Sequence, residues 1–291
     1  MCIRDSMIIL EELFSTVAEF RKYSPYLESN VSFQDLNSSA LSAKKQISII
    51  LSKEVYDEVA GKAGEPKEAL CSAMANLTLA KQMIFDVISR RKNEIDIYKH
   101  EQETMRRAYT DNYFNAMDTL IQLLSSERNV SEKWKETRYC KMLSALKIKT
   151  ADKFDSLYPI DMSYLFFFRT IPLQKEALDD GMDSYFERSA KNEEVISVLQ
   201  RCLAKQTIAI ALRRFDIIEF PPTIRSLFDD SKAMRYGTQE QQRMLDLATS
   251  LAEEVKNSLM DIDLILSSGS GSSVDTETSF NRPDDKIYLM A

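Results

Sequence analysis

Met244-Leu245-Asp246-Leu247-Ala248-Thr249-Ser250-Leu251-Ala252-Glu253-Glu254-Val255 is the stretch whose reading decides the fold. Met244, Ala248, Leu251 and Val255 recur at three- and four-residue steps, and Ile262 and Ile265 extend the series. That is the period of one face of an α-helix, not the alternation of a strand. Leu245, Ala252, Leu259 and Leu266 widen the face. A stripe this broad belongs in a core, whereas an isolated two-stranded coil needs only a narrow seam. Just upstream, Thr238 and Gln241 have the spacing of a capping box, so the helix is expected to open there.

The same period runs back through the chain. A short helical piece is predicted over about 11–20. Ser32 can cap a helix that buries Phe33, Leu36, Ala40, Ile47, Ile50 and Leu51. A brief helix over 53–60 should stop at Gly61 and Gly64, and Pro66 then suits the first turn of a helix running to about Arg91. Its stripe is Leu70, Met74, Leu77, Ala80, Ile84 and Val87. A helix over 101–124 should turn Met105, Tyr109, Ala116, Leu120 and Leu123 inward, and one over 131–147 carries the only tryptophan, Trp134. Further helices are expected over 173–188 and 192–214.

Leu79-Ala80-Lys81-Gln82 recurs as Leu203-Ala204-Lys205-Gln206 at an offset of 124, and from 79 to 90 six of twelve positions match. The pair reads either as a duplication or as a chance likeness between two helices. Two copies are too few for a solenoid. The expected fold is therefore all-α, with two helical-bundle subdomains over 7–149 and 173–266 and a connecting segment over 150–172. At most short strands are expected, in the mid-chain aromatic run and in the tail. Met1 to Ser6 reads as the translated end of a transposase adapter used in preparing sequencing libraries, so it is set aside; the natural start is then Met7 or lies upstream.

Composition narrows the chemistry. His100 is the only histidine, so a Ser-His-Asp or Cys-His-Asn arrangement would have to use it. Beyond Cys2, Cys71, Cys140 and Cys202 are widely spaced and form no Cys-x-x-Cys, which disfavours both structural zinc and disulfides. The six glycines build no phosphate cradle. No cofactor, metal site or catalytic residue is expected. With no signal-like segment and no long unbroken apolar run, an intracellular location is expected. A net charge of −7 makes direct nucleic-acid binding an unlikely role. The pairs Arg90-Arg91, Arg106-Arg107 and Arg213-Arg214 read as solvated faces or ion-pair donors.

Two segments stand out as candidate contact surfaces. Tyr164 to Phe168 is a dense aromatic run between the breakers Tyr158-Pro159 and Pro172. It reads as a buried linker or short strand sealing the two halves, or else as a partner anchor through Phe166, Phe167 and Phe168. After a Ser/Gly linker at 267–273, the arm over 267–291 ends in Lys286-Ile287-Tyr288-Leu289-Met290. Ile287, Tyr288 and Leu289 are the candidate docking residues, folding back on their own body or adding to a neighbour as a strand.

Three clusters resemble an uncharacterised family of bacterial phage and prophage proteins. They are Val31-Ser32-Phe33 through Ile49 to Asp57, Leu199 to Ala204 through Ile217 to Ile224, and Asp284 to Met290. Ser52 stands where that family often has glycine. The opening pattern is also similar to the helical head–tail connector (adaptor) proteins of tailed phages, which form rings beneath the portal. The resemblance implies a non-enzymatic virion assembly protein. Its partners would be further copies and other phage structural proteins, its site the host cytoplasm during assembly or the virion. A helical protein-binding or regulatory module is the second reading, and an enzyme built on carboxylates and arginines the third.

Overall fold

The computed structural model describes residues 8–24, 31–92, 99–126, 132–228 and 237–269. These form an all-α fold; among the described residues there is no strand. A 3-10 turn, Ile9–Glu12, precedes α1, Val17–Arg21. Helix α2 spans Phe33–Leu51, α3 Lys53–Gly61, α4 Glu65–Lys92 and α5 Lys99–Ser125. The short α6, Glu132–Lys135, α7, Arg138–Ser144, and α8, Ala151–Leu157, lead to α9, Tyr164–Ala177. A π-helical turn, Leu178–Met182, joins α9 to α10, Asp183–Arg188. Then follow α11, Glu193–Arg214, the short α12, Pro222–Ser226, and α13, Gly237–Gly269.

The long helices pack in chain order: α2 on α4, α4 on α5, α5 on α9, α9 on α11 and α11 on α13. The most extensive contacts are α4 with α5 and α11 with α13, and each copy of the Leu-Ala-Lys-Gln sequence lies in the first helix of one such pair. Leu79, Leu203 and Ala204 are buried, while Lys205 reaches Glu254 of α13 at 2.6 Å and Gln82 accepts a bond from Ser39 of α2 at 2.8 Å. Buried apolar side chains from the first turn to α13 form one continuous cluster.

Local signals account for many of the boundaries. Ser32 caps α2 with a full capping box, its backbone N–H donating to the Asp35 carboxylate at 2.9 Å, and all six side chains expected on the inner face are buried. The expected helix over 131–147 is instead two. The chain turns at Glu136-Thr137, and Thr137 caps the new start, its Oγ1 accepting from the Cys140 N–H at 3.4 Å. In α5, Tyr109, Ala116 and Leu120 are buried but Met105 is exposed. Helix α13 opens at Gly237, so Thr238 lies inside its first turn rather than ahead of it. Leu245 and Ile265 are exposed, so the buried stripe is narrower than the broad one expected.

The largest departure is at 150–172, where breaks and at most a short strand were expected and most of the length is helical. Pro172, expected to break structure, sits inside α9. Proline in a helix interior costs about 3 kcal/mol. Leu165, Phe166, Phe167 and Phe168 are all buried, and each such side chain recovers about 1.5–3 kcal/mol, which outweighs it. Buried residues face every side of α9, so it shows neither a strand nor an amphipathic period. The helix finally turns at Gly181, whose φ of 117° is open to glycine.

Helix α11 also exceeds what uninterrupted apolar runs suggested. An 18-residue window has mean hydropathy 1.4, long and apolar enough to cross a bilayer by length and composition. It is flanked by α9 and α13, and 61% of that window is buried inside the protein, so its apolarity is that of a core helix.

Candidate functional site

The start of α9 is held by a half-buried carboxylate on α5. Asp118 accepts the Leu165 N–H at 2.6 Å and the Ser163 hydroxyl at 3.1 Å, while Ser163 itself caps the helix by accepting from the Phe166 N–H at 3.2 Å. Burial pushes the Asp118 carboxyl up to about 6, and the bonds it accepts act against that rise. The loop before α9 is strained: Asp161 and Met162 both have φ of 54°. It is pinned at both ends. Asp155 accepts the Ile160 and Met162 N–H groups at 2.9 and 3.1 Å, and Asp161 accepts both the N–H and the hydroxyl of Thr223 at the start of α12.

What this clamp positions is a cleft of about 760 Å³ between the C-terminal end of α5, α6, α7 and the first turns of α8 and α9. The floor is aromatic. Trp134 stacks on Phe168 with centroids 5.3 Å apart and planes at 26°, and Phe167 meets Phe168 edge-on at 6.0 Å. Tyr164, Cys140 and Leu143 form the walls. Around the rim stand Lys135, Lys141 and Lys149 against Glu136 and Asp152. Lys141 pairs with Glu136 at 2.5 Å and Lys135 with Glu132 at 3.0 Å. Lys149 makes no ion pair among the described residues.

The thiol and the phenol of the cleft are held in their neutral forms. Burial raises the Cys140 thiol, against a smaller opposing effect of its hydrogen bond with Thr137, so it is protonated at neutral pH and a poor nucleophile. Burial likewise raises the Tyr164 hydroxyl, with Asp152 and Asp118 adding to the effect. Among the described residues no group of three histidine, cysteine or acidic side chains converges as metal ligands. The volume, the apolar floor and the few polar groups at the edge are those of a site for an amphipathic ligand or peptide.

A second polar arrangement ties α5 and α9 to the segment that follows α11. Arg169 of α9 bonds Glu219 at 2.9 Å with its guanidinium 4.6 Å from the centre of the Phe215 ring, and the nearly buried Arg225 of α12 bonds Asp111 of α5 at 2.8 Å. Lys81, in the first Leu-Ala-Lys-Gln copy, is depressed by burial although Glu219 partly restores it. Arg169 with Glu219 and Arg225 with Asp111 form two separate ion pairs, as a structural seam requires. Of the arginine pairs, Arg214 forks onto Glu176 at 2.6 Å through two bonds, and the Arg90 and Arg91 side chains lie outside the described residues.

Phe166, Phe167 and Phe168 are 0, 1 and 4% exposed. They form core and cleft floor, since helical geometry turns all of them into the protein. Ile287, Tyr288 and Leu289 lie outside the described residues. Sequence reasoning missed the cleft. Its walls come from five helices, and the only local hint was the lone Trp134 beside Lys133 and Lys135.

The exposed apolar side chains lie elsewhere. Leu41 and Ile49 of α2 are 59 and 57% exposed, and Met260 and Leu264 of α13 are 52 and 69% exposed. Helices α2 and α13 are the first and last members of the packing order. No family model matches the chain, and neither does any curated protein or solved structure.

Proposed function

We propose that the chain is a non-enzymatic phage assembly protein, a head–tail connector-type virion component that works by self-association and by contact with other phage structural proteins. The phage assignment rests on the resemblance of 31–57, 199–224 and 284–290. The single structural observation that supports an assembly role is the pair of exposed apolar faces on α2 and α13. Large apolar groups left in water at two different places are costly unless a partner covers them. Two unlike faces at opposite ends of a packing order suit head-to-tail contact, the kind of interface that closes into rings.

Light scattering on the eluting protein across a wide concentration range tests this. A defined oligomer that dissociates on Leu264→Asp or Leu41→Asp is the expected result. A monomer at every concentration overturns it and favours the second reading, a helical protein-binding or regulatory module. The observation favouring that second reading is the aromatic cleft, which needs no second copy.

A further inference from the structure

We infer that the cleft between α5, α6, α7, α8 and α9 is the docking site for the chain's own segment Asp284-Asp285-Lys286-Ile287-Tyr288-Leu289-Met290. The inference rests on reading the C-terminal arm as a docking element, and not on the phage assignment. Three observations carry it: chemistry, charge and reach.

The cleft offers what the segment needs to bury. Its floor is Trp134 with Phe167 and Phe168, its wall includes Tyr164 and Leu143, and about 760 Å³ is room for two or three large side chains rather than a whole helix. The segment supplies Ile287, Tyr288, Leu289 and Met290 in succession. A tyrosine there brings a large apolar ring with one polar end, suited to an apolar floor under a wet rim.

Charge separates this site from the other exposed apolar surface near the arm. The arm carries Asp275, Glu277, Asp284 and Asp285 against Arg282 and Lys286 before the apolar residues, a net negative charge. The cleft rim sets three lysines against Glu136 and Asp152, and Lys149 is without an ion pair among the described residues. The end of α13, by contrast, sets Asp261 beside Met260 and Leu264, with Asp263 already paired to Arg188, and offers an acidic arm no excess of positive charge.

The distance is within reach. Asp263, six residues before the end of α13, bonds Arg188 and Tyr185 of α10 at 2.9 Å each. Asp183, at the other end of α10, bonds Lys147 at 2.8 Å, and Lys149 on the cleft rim is two residues further. Helical rise and side-chain lengths make that route about 40 Å at most. Residues 270–286 can span up to about 55 Å when extended.

The test uses the full chain with Tyr288→p-benzoylphenylalanine, which keeps an aromatic side chain and adds a photocrosslinker. Irradiation followed by peptide mass spectrometry should place crosslinks on Leu143, Cys140 or Tyr164 within one chain. Adding Lys149→Glu, an exposed change that leaves folding intact, should cut their yield roughly threefold to tenfold by turning attraction into repulsion. Crosslinks mapping to Met260 and Leu264, or elsewhere outside the cleft, overturn the site while leaving a docking arm. Crosslinks only between chains overturn the same-chain assignment. No protein crosslinks at all overturn both the site and the arm reading. A cleft yield indifferent to Lys149→Glu and to Leu143→Asp overturns it as well.

Discussion

Helices α9 and α13 differ in almost every respect that matters. The stripe of α13 is legible, with Met244, Ala248, Leu251, Val255 and Ile262 buried on one side and charge on the other. Helix α9 has no stripe. It is buried on all sides, contains a proline, and touches α5, α7, α8 and α11. A helix with one neighbour needs a face; a helix with several needs apolar side chains all round. The clearest helix in the sequence therefore lies at the margin of the fold, and the least clear one lies at its centre.

The contrast is sharpest where a side chain is removed. Phe167→Ala should cost about 3–5 kcal/mol, because the void opens between α8, α9 and the cleft floor where neighbours cannot collapse. A urea titration would register it as a large fall in midpoint with unchanged slope. A loss under about 1 kcal/mol would mean that α9 is not the hub of the core.

Next in size is the clamp at the start of α9. The Asp118 carboxyl is raised in the folded protein, to about 6. Folding therefore favours its protonated form. Stability from this group is fully present below about pH 4 and is lost as pH rises through about 6, a swing of roughly 2–3 kcal/mol. Asp118→Asn keeps a neutral acceptor for the Leu165 N–H and should remove that dependence. Unfolding midpoints of the two proteins at pH 5 and pH 7.5 should differ in slope; parallel pH profiles would refute the raised carboxyl.

Gln174 tests the same helix with the opposite sign. It is fully buried in α9, and among the described residues neither its amide nitrogen nor its oxygen has a partner. An unpaired buried amide costs about 1–3 kcal/mol. Gln174→Met, similar in length and apolar, should stabilise by about 1–2 kcal/mol and raise Tm by roughly 2–6 °C. A fall in Tm in calorimetry would show that the amide is satisfied.

On α13 the corresponding change should hardly register. Leu264 is largely exposed, so Leu264→Ser should alter monomer stability by less than about 0.5 kcal/mol. Its effect belongs to association, and a large loss in thermal stability measured at dilute, monomeric concentration would place Leu264 in a core contact.

The elements with local signals were legible. Ser32 with Asp35 begins α2, Asn192 begins α11, and Pro66 lies in the first turn of α4, since each depends on atoms within one turn of its own residue. Reading failed where the deciding partner was distant. The break between α6 and α7 depends on Thr137 recapping the chain, and the clamp on α9 is supplied by Asp118, 47 residues from the N–H it accepts. Of the cleft, only Trp134 and the aromatic run were conspicuous, and the run was misread because an all-round apolar helix and a buried strand look alike over five residues.

The sequence by itself determined that this protein is helical and that its residue inventory favours contact surfaces over a histidine- or glycine-loop-based centre. Period, caps and composition are local properties, so they survive without a fold. Only the tertiary structure decided that 150–172 is largely helical and packed into the core, that Phe166, Phe167 and Phe168 face inward, and that a lysine-rimmed aromatic cleft exists. Those depend on which helices meet, and the meeting is chosen by burial summed over the whole chain, where several apolar contacts of 1.5–3 kcal/mol each can overrule a single proline of about 3 kcal/mol.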